Sequence, residues 1–289
     1  MRKLLSFTII AFLLSSCGSK KTTEQGKAEF LDDKDNYFRI ELNSNPPHPA
    51  FEQFRKIVDV FGVKIYAMAD VGDVKLLHAA NVLAQYLDND EDGNVDDPKL
   101  LAQMLDNKAF VAMVKTGDSP DLERFFKADP PRDMRGQDLY DEETIPGGAA
   151  AGRFDASLEE LLHIVNFGGH VDAYPEAFGT EPGSRLANAM DLARGGLFEN
   201  IPEQYPEDAW YSYYDETCDY GCMAIEYMYW ALTSMLGAQD FPGRLERIEE
   251  EWKLNTREKV MNIDTAVFSL LTDPKYKMPT VLPDGKYQQ

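Results

Sequence analysis

The residues of this chain whose types and spacing offer chemistry are Glu159, Glu160, His163 and, well downstream, Glu226. Phe154-Asp155-Ala156-Ser157-Leu158-Glu159-Glu160-Leu161-Leu162-His163 continues to Gly168-Gly169-His170 and reads as a helix. It starts near Asp155 or Ser157, either of which can accept the free N–H groups of the first turn, and ends at the glycine pair. On that helix Glu159 and His163 are neighbours on one face, with Glu160 about 100° round. This is the spacing of a zinc-protease helix, in which the outer two residues of His-Glu-x-x-His bind metal and the inner Glu activates a water; here Glu stands where the first His would be. The competing reading makes Glu159 and Glu160 solvated helix residues and lets His163 pack or hydrogen-bond. Glu226 lies among Met223, Ala224, Ile225, Tyr227, Met228, Tyr229 and Trp230, where a carboxylate is costly to bury unless paired or metal-bound.

The elements that would position these groups follow from the periodicity. Phe51 to Val60 is helical in pattern, Val63–Met68 alternates like a strand, and Val74–Leu87 carries a core-facing stripe. His78, beside that stripe, is read as structural. Phe110–Val114 is a second strand, expected to pair with the first. Gly117–Gly152 reads as one long loop whose end, Ile145 to Gly152, either brings backbone to a substrate or serves as a spacer. Further helices are expected at Ser184–Arg194 and Gly221–Leu236, with two more between Arg244 and Leu271, before an extended tail from Pro279 to Gln289.

Between the Val74–Leu87 helix and a second helix that Pro98 starts and that runs through Leu105, Asp88-Asn89-Asp90-Glu91-Asp92-Gly93-Asn94-Val95-Asp96-Asp97-Pro98-Lys99 matches an EF-hand loop, residues 88–99. Asp88, Asp90 and Asp92 hold positions one, three and five, Gly93 makes the turn, and Asn94, Asp96 and Asp97 add oxygens. Position twelve is Lys99 instead of Glu, so Asp96, Asp97 or a distant residue would complete the shell. A solvated acidic turn is the alternative, but so many carboxylates in one loop repel without a cation, and calcium is the expected ligand.

The chain has 289 residues, 44% of them hydrophobic, and a net charge of -21. That supports a packed core and argues against nucleic acid as a partner, which needs a basic face. Met1-Arg2-Lys3-Leu4, the apolar run to Leu14 and Leu14-Ser15-Ser16-Cys17 have the form of a bacterial lipoprotein signal, 1–17. This resemblance implies lipidation of Cys17 and a membrane anchor outside the cytoplasmic membrane, with the outer membrane the expected location in the cell envelope. Residues 18–34 read as a flexible tether and 35–289 as one globular domain. Cys218 and Cys222, separated by three residues in an oxidising compartment, are expected to form a disulfide; a metal site is the alternative.

The order of elements from Val63 to Leu236 resembles a zincin-type metallopeptidase domain, most like the catalytic domain of the anthrax lethal factor group. The resemblance implies an α+β fold, mostly helical, with a small sheet and a C-terminal helical part. It implies a divalent transition metal, zinc foremost, held by Glu159, His163 and Glu226, with Glu160 as general base and Tyr220 stabilising the transition state in hydrolysis of a peptide or protein substrate. Glu160→Gln is then expected to abolish hydrolysis and keep metal. His170, beyond the glycine turn, is an alternative ligand. Two non-catalytic readings stand beside this one. One is a calcium-binding envelope lipoprotein on a degenerate zincin scaffold with a protein partner; the other is glycan binding through Trp210, Tyr211, Tyr213 and Tyr214.

Overall fold

A computed structural model describes residues 36–148 and 151–289. The signal segment, Cys17 and the tether lie outside the described residues. In chain order the elements are β1 (Glu41–Leu42), β2 (Lys56–Val60), β3 (Val63–Ala67), α1 (Asp73–Leu87), α2 (Pro98–Asp106), β4 (Phe110–Val114), α3 (Pro120–Lys127) and β5 (Gly136–Tyr140). There follow α4 (Ser157–Val165), a π-helical turn (Asn166–His170), α5 (Val171–Ala173), α6 (Pro175–Phe178), α7 (Arg185–Ala193), α8 (Tyr220–Leu236), α9 (Leu245–Ile248), α10 (Arg257–Ile263) and α11 (Thr265–Leu271). The class is α+β: a five-stranded mixed sheet, ordered β1 to β5, followed by a helical remainder.

The strands β1, β2 and β3 pair antiparallel, whereas β3–β4 and β4–β5 are parallel. Phe61 and Gly62, both at positive φ, make the two-residue turn whose twist suits a hairpin between β2 and β3. The parallel joins need crossovers, supplied by α1 with α2 and by α3. Interior strand β4 is buried at all five positions, as expected of a strand covered on both faces. Two expectations change here. Lys56–Val60 is a strand, not the end of a helix, and only Pro49–Gln53 before it is helical, as a 3-10 turn. The supposed long loop contains α3 and β5, so the sheet extends one strand further toward α4.

Helix α4 packs against α1, β5 and α8. Leu158, Leu161, Leu162, Ile164 and Val165 are its buried apolar residues. Asp155 organises its start: Oδ1 accepts from the N–H groups of Ser157 and Ile145, and Oδ2 lies 2.8 Å from His78 Nε2 on α1. His78 is thus a structural residue, as is Tyr86, whose hydroxyl donates to Leu158 O. The helix does not end at Gly168-Gly169. It widens into the π turn and continues through α5, because the glycines serve as a seat for α2: a Cβ on Gly169 would stand 2.4 Å from Leu100 Cδ1 and 2.8 Å from Met104 Cγ.

The C-terminal segment has no strand or α-helix after α11, yet it is not a free tail. Gln85 Oε1 accepts from the N–H groups of Asp284 and Gly285, Asn81 Nδ2 donates to Gly285 O, and the Tyr287 hydroxyl donates to Asp88 Oδ2. It straps α1 to the acidic loop. Between Arg244 and Leu271 there are three helical pieces, α9, α10 and α11, in place of the two expected.

Candidate metal centre

Glu159 and His163 come from α4 and Glu226 from the middle of α8, where the two helices cross. One ligating atom from each lies within 4.8 Å of the others. His163 and Glu226 are 3% and 4% exposed, so water cannot satisfy them freely. His163 Nε2 stands 3.5 Å from Glu226 Oε2 and has no hydrogen-bond partner. A buried ring nitrogen left without a partner and directed at a carboxylate is the arrangement a metal ligand presents. Two carboxylates and one imidazole form a donor set that fits a divalent metal and is less zinc-selective than two imidazoles and one carboxylate.

Glu160 occupies the other side of the imidazole. Its Oε2 is 3.4 Å from His163 Nδ1 and also accepts from Gln137 Nε2 of β5. Burial alone would push His163 down; Glu226 and then Glu160 outweigh it and hold the imidazole well above its ordinary value. Burial, followed by the charges of Glu226 and Glu160, pushes the Glu159 carboxyl well up.

Further carboxylates ring the three. Asp138 on β5 accepts from the Tyr140 hydroxyl, and burial pushes it up. Glu143 is pushed up to about 7 by burial and then by Glu160, and Glu251 to about 7 by burial and then by Glu226. Arg244 is the cation that partly offsets Glu251. None of Asp138, Glu143, Gln137 and Glu251 was singled out from the sequence. The signal for the first three was polar residues recurring in a segment read as loop; Glu251 sits in an acidic run with nothing to mark it.

Tyr220 is not near this group. Its hydroxyl donates to Asp191 Oδ2 at 2.9 Å and its ring lies against Arg194, at the first turn of α8, whereas Glu226 is nearly two turns further on. Tyrosines that feel the centre include Tyr211 and Tyr213, each raised by burial and then by Glu226, and Tyr229, whose ring centroid is 5.8 Å from that of His163. His170 is separate too: it is buried against Phe178, and burial pushes it down to about 4.

In the acidic loop, Asp88, Asp90 and Asp96 bring carboxylate oxygens within 4.8 Å of one another. Asp92 Oδ1 instead accepts from Asn94 N–H and Nδ2. Asp97 is diverted altogether, capping α2 through the N–H groups of Lys99 and Leu100 and accepting from the Tyr174 hydroxyl. Lys99 turns away, its ammonium over the Tyr174 ring. Cys218 and Cys222 are joined as a disulfide at the start of α8. The aromatic run does not form an open platform: Tyr211 and Tyr213 are buried, Trp210 Nε1 donates to Asp264, and Tyr214 alone is exposed.

Among the described residues no helix is long and apolar enough to cross a membrane. Compared with known proteins, the chain matches no family model, no curated protein and no solved structure.

Proposed function

We propose that this protein is a metal-dependent hydrolase of the peptidase type, built on a zincin-like domain and anchored to the cell envelope through Cys17. The observation that carries the reading is His163 Nε2, buried and unpartnered, facing Glu226 with Glu159 beside them. Glu159, His163 and Glu226 are the residues that hold the metal. When bound, a divalent metal supplies Lewis-acid activation of a water and polarisation of a carbonyl. Glu143 and Glu251 are held near neutrality, the range in which a carboxylate accepts a proton usefully at physiological pH. On the same reading Asp88, Asp90 and Asp96 hold calcium in a structural role, and the partners are a peptide or protein substrate and the membrane carrying the lipid.

The test is metal analysis of the soluble form from Gly18 onward, with calcium counted separately from transition metals, for wild type and Glu226→Ala. One equivalent of transition metal, lost in the variant, supports the centre and justifies a peptide-library hydrolysis screen. Calcium alone, unchanged by the substitution, overturns the enzyme reading and leaves a calcium-binding lipoprotein.

A further inference from the structure

In the zinc-protease motif the Glu at the position of Glu160 faces the metal. Here its carboxylate lies on the far side of the imidazole from Glu226, at 3.4 Å from His163 Nδ1, while Nε2 faces Glu226 at 3.5 Å. The two ring nitrogens point in divergent directions, so a carboxylate at Nδ1 is turned from whatever occupies Nε2. A neutral imidazole that gives its Nε2 lone pair to a metal must carry its proton on Nδ1, and a ring only 3% exposed needs a protein acceptor for it. Glu160 Oε2, 3.4 Å from Nδ1, is the carboxylate oxygen placed to accept it. It is held there from outside the helix, by the Gln137 amide on β5.

We infer that Glu160 is a positioning residue for the metal ligand His163, fixed by Gln137, and not the general base. The inference rests on the metal centre proposed above and specifies how one of its ligands is oriented. It adds an outer shell, Gln137 to Glu160 to His163, that runs from the edge strand of the sheet into α4. It also leaves proton transfer to another carboxylate of the ring.

The experiment is zinc binding to the soluble chain, measured by competition with a chromogenic chelator, for wild type, Glu160→Gln, Glu160→Ala, Gln137→Ala and Glu226→Ala. An outer-shell partner of a ligating histidine is worth about 10- to 100-fold in metal affinity. Glu160→Ala is expected near the upper end. Glu160→Gln, whose amide oxygen still accepts from Nδ1–H but carries no charge, is expected about tenfold weaker than wild type, and Gln137→Ala weaker by a smaller factor.

Proton NMR of the zinc form gives a second readout that a merely structural role would not move. With four histidines in the chain, the imidazole N–H signals are few enough to assign. The His163 Nδ1–H signal is expected to be shifted downfield and protected in wild type, and lost in Glu160→Ala. Wild-type zinc affinity together with an unchanged Nδ1–H signal in Glu160→Gln overturns the inference, including in the case where Glu160→Ala does not fold. If zinc binds wild type but not Glu226→Ala, such a result leaves the metal centre standing. If wild type itself binds no zinc, the centre and its orienting shell fall together.

Discussion

At the residue scale, the centre is a concentration of negative charge that the fold tolerates only with something to offset it. Glu143 is raised to about 7 by burial and by Glu160. An acid whose folded pKa lies above its ordinary value of 4.5 takes up its proton earlier in the folded state than in the unfolded one. Metal-free protein therefore gains stability from Glu143 as pH falls from about 7 toward 4.5, and loses it as pH rises through 7. Glu143→Gln is expected to stabilise the metal-free chain at pH 8 by on the order of 1 kcal/mol and to change little at pH 4.5, as read by urea unfolding at the two values. His170 runs the other way, since a histidine pushed down to about 4 resists protonation in the folded state and costs stability as pH falls below its ordinary value of 6.5. Comparing the variant with wild type cancels that contribution. Equal slopes for the two would mean that Glu143 is not held near neutrality.

At the element scale, some features were legible because local pattern and burial agree. The stripe of α1, the Pro98 start of α2, the strands β3 and β4 and the apolar run of α8 all appear with boundaries within a residue or two of those expected. Other features were hidden by polar residues at inward positions. In β2 the inward set begins with Lys56, whose ammonium bonds Val71 O and Asp73, so the alternation reads as broken while Phe51, Phe54 and Val58 imitate a helix. In β5 the inward set is Gln137 and Leu139, and Gln137 donates to Glu160 Oε2. A strand with a polar residue on its buried face looks like loop for that reason. Of the candidate site, the grouping of Glu159, His163 and Glu226 was legible from helical spacing and the cost of burying Glu226; the side of His163 on which Glu160 lies, and the pairing of Tyr220 with Asp191, depend on rotamers and on helix crossing that no local pattern encodes. The glycine pair makes the same point, since Gly169 permits the close seat of α2 on the π turn. Gly169→Ala is expected to cost about 1–3 kcal/mol through overpacking against Leu100 and Met104, seen as a lower Tm. An unchanged Tm would mean that α2 is free to shift.

At the scale of the whole molecule, a chain of net charge -21 is held together where its carboxylates are neutralised or tied down. On the proposed calcium reading, calcium raises the Tm of wild type and Asp88→Asn abolishes the increase, which differential scanning fluorimetry with calcium and with chelator would measure. Tyr287→Phe removes the donor to buried Asp88 and is expected to lower the calcium-free Tm by an amount corresponding to about 1–3 kcal/mol. A wild-type Tm indifferent to calcium would leave the loop a purely hydrogen-bonded structure. The strap that supplies Tyr287 joins residues 199 positions apart along the chain. Contacts of such separation must await the closure of a very large loop, so they form late in folding. The acidic loop, although local in sequence and early in the chain, is therefore expected to acquire its finished shape among the last steps of refolding, and hydrogen exchange at Asp92 and Gly93 should become protected only after α1 and the sheet already are.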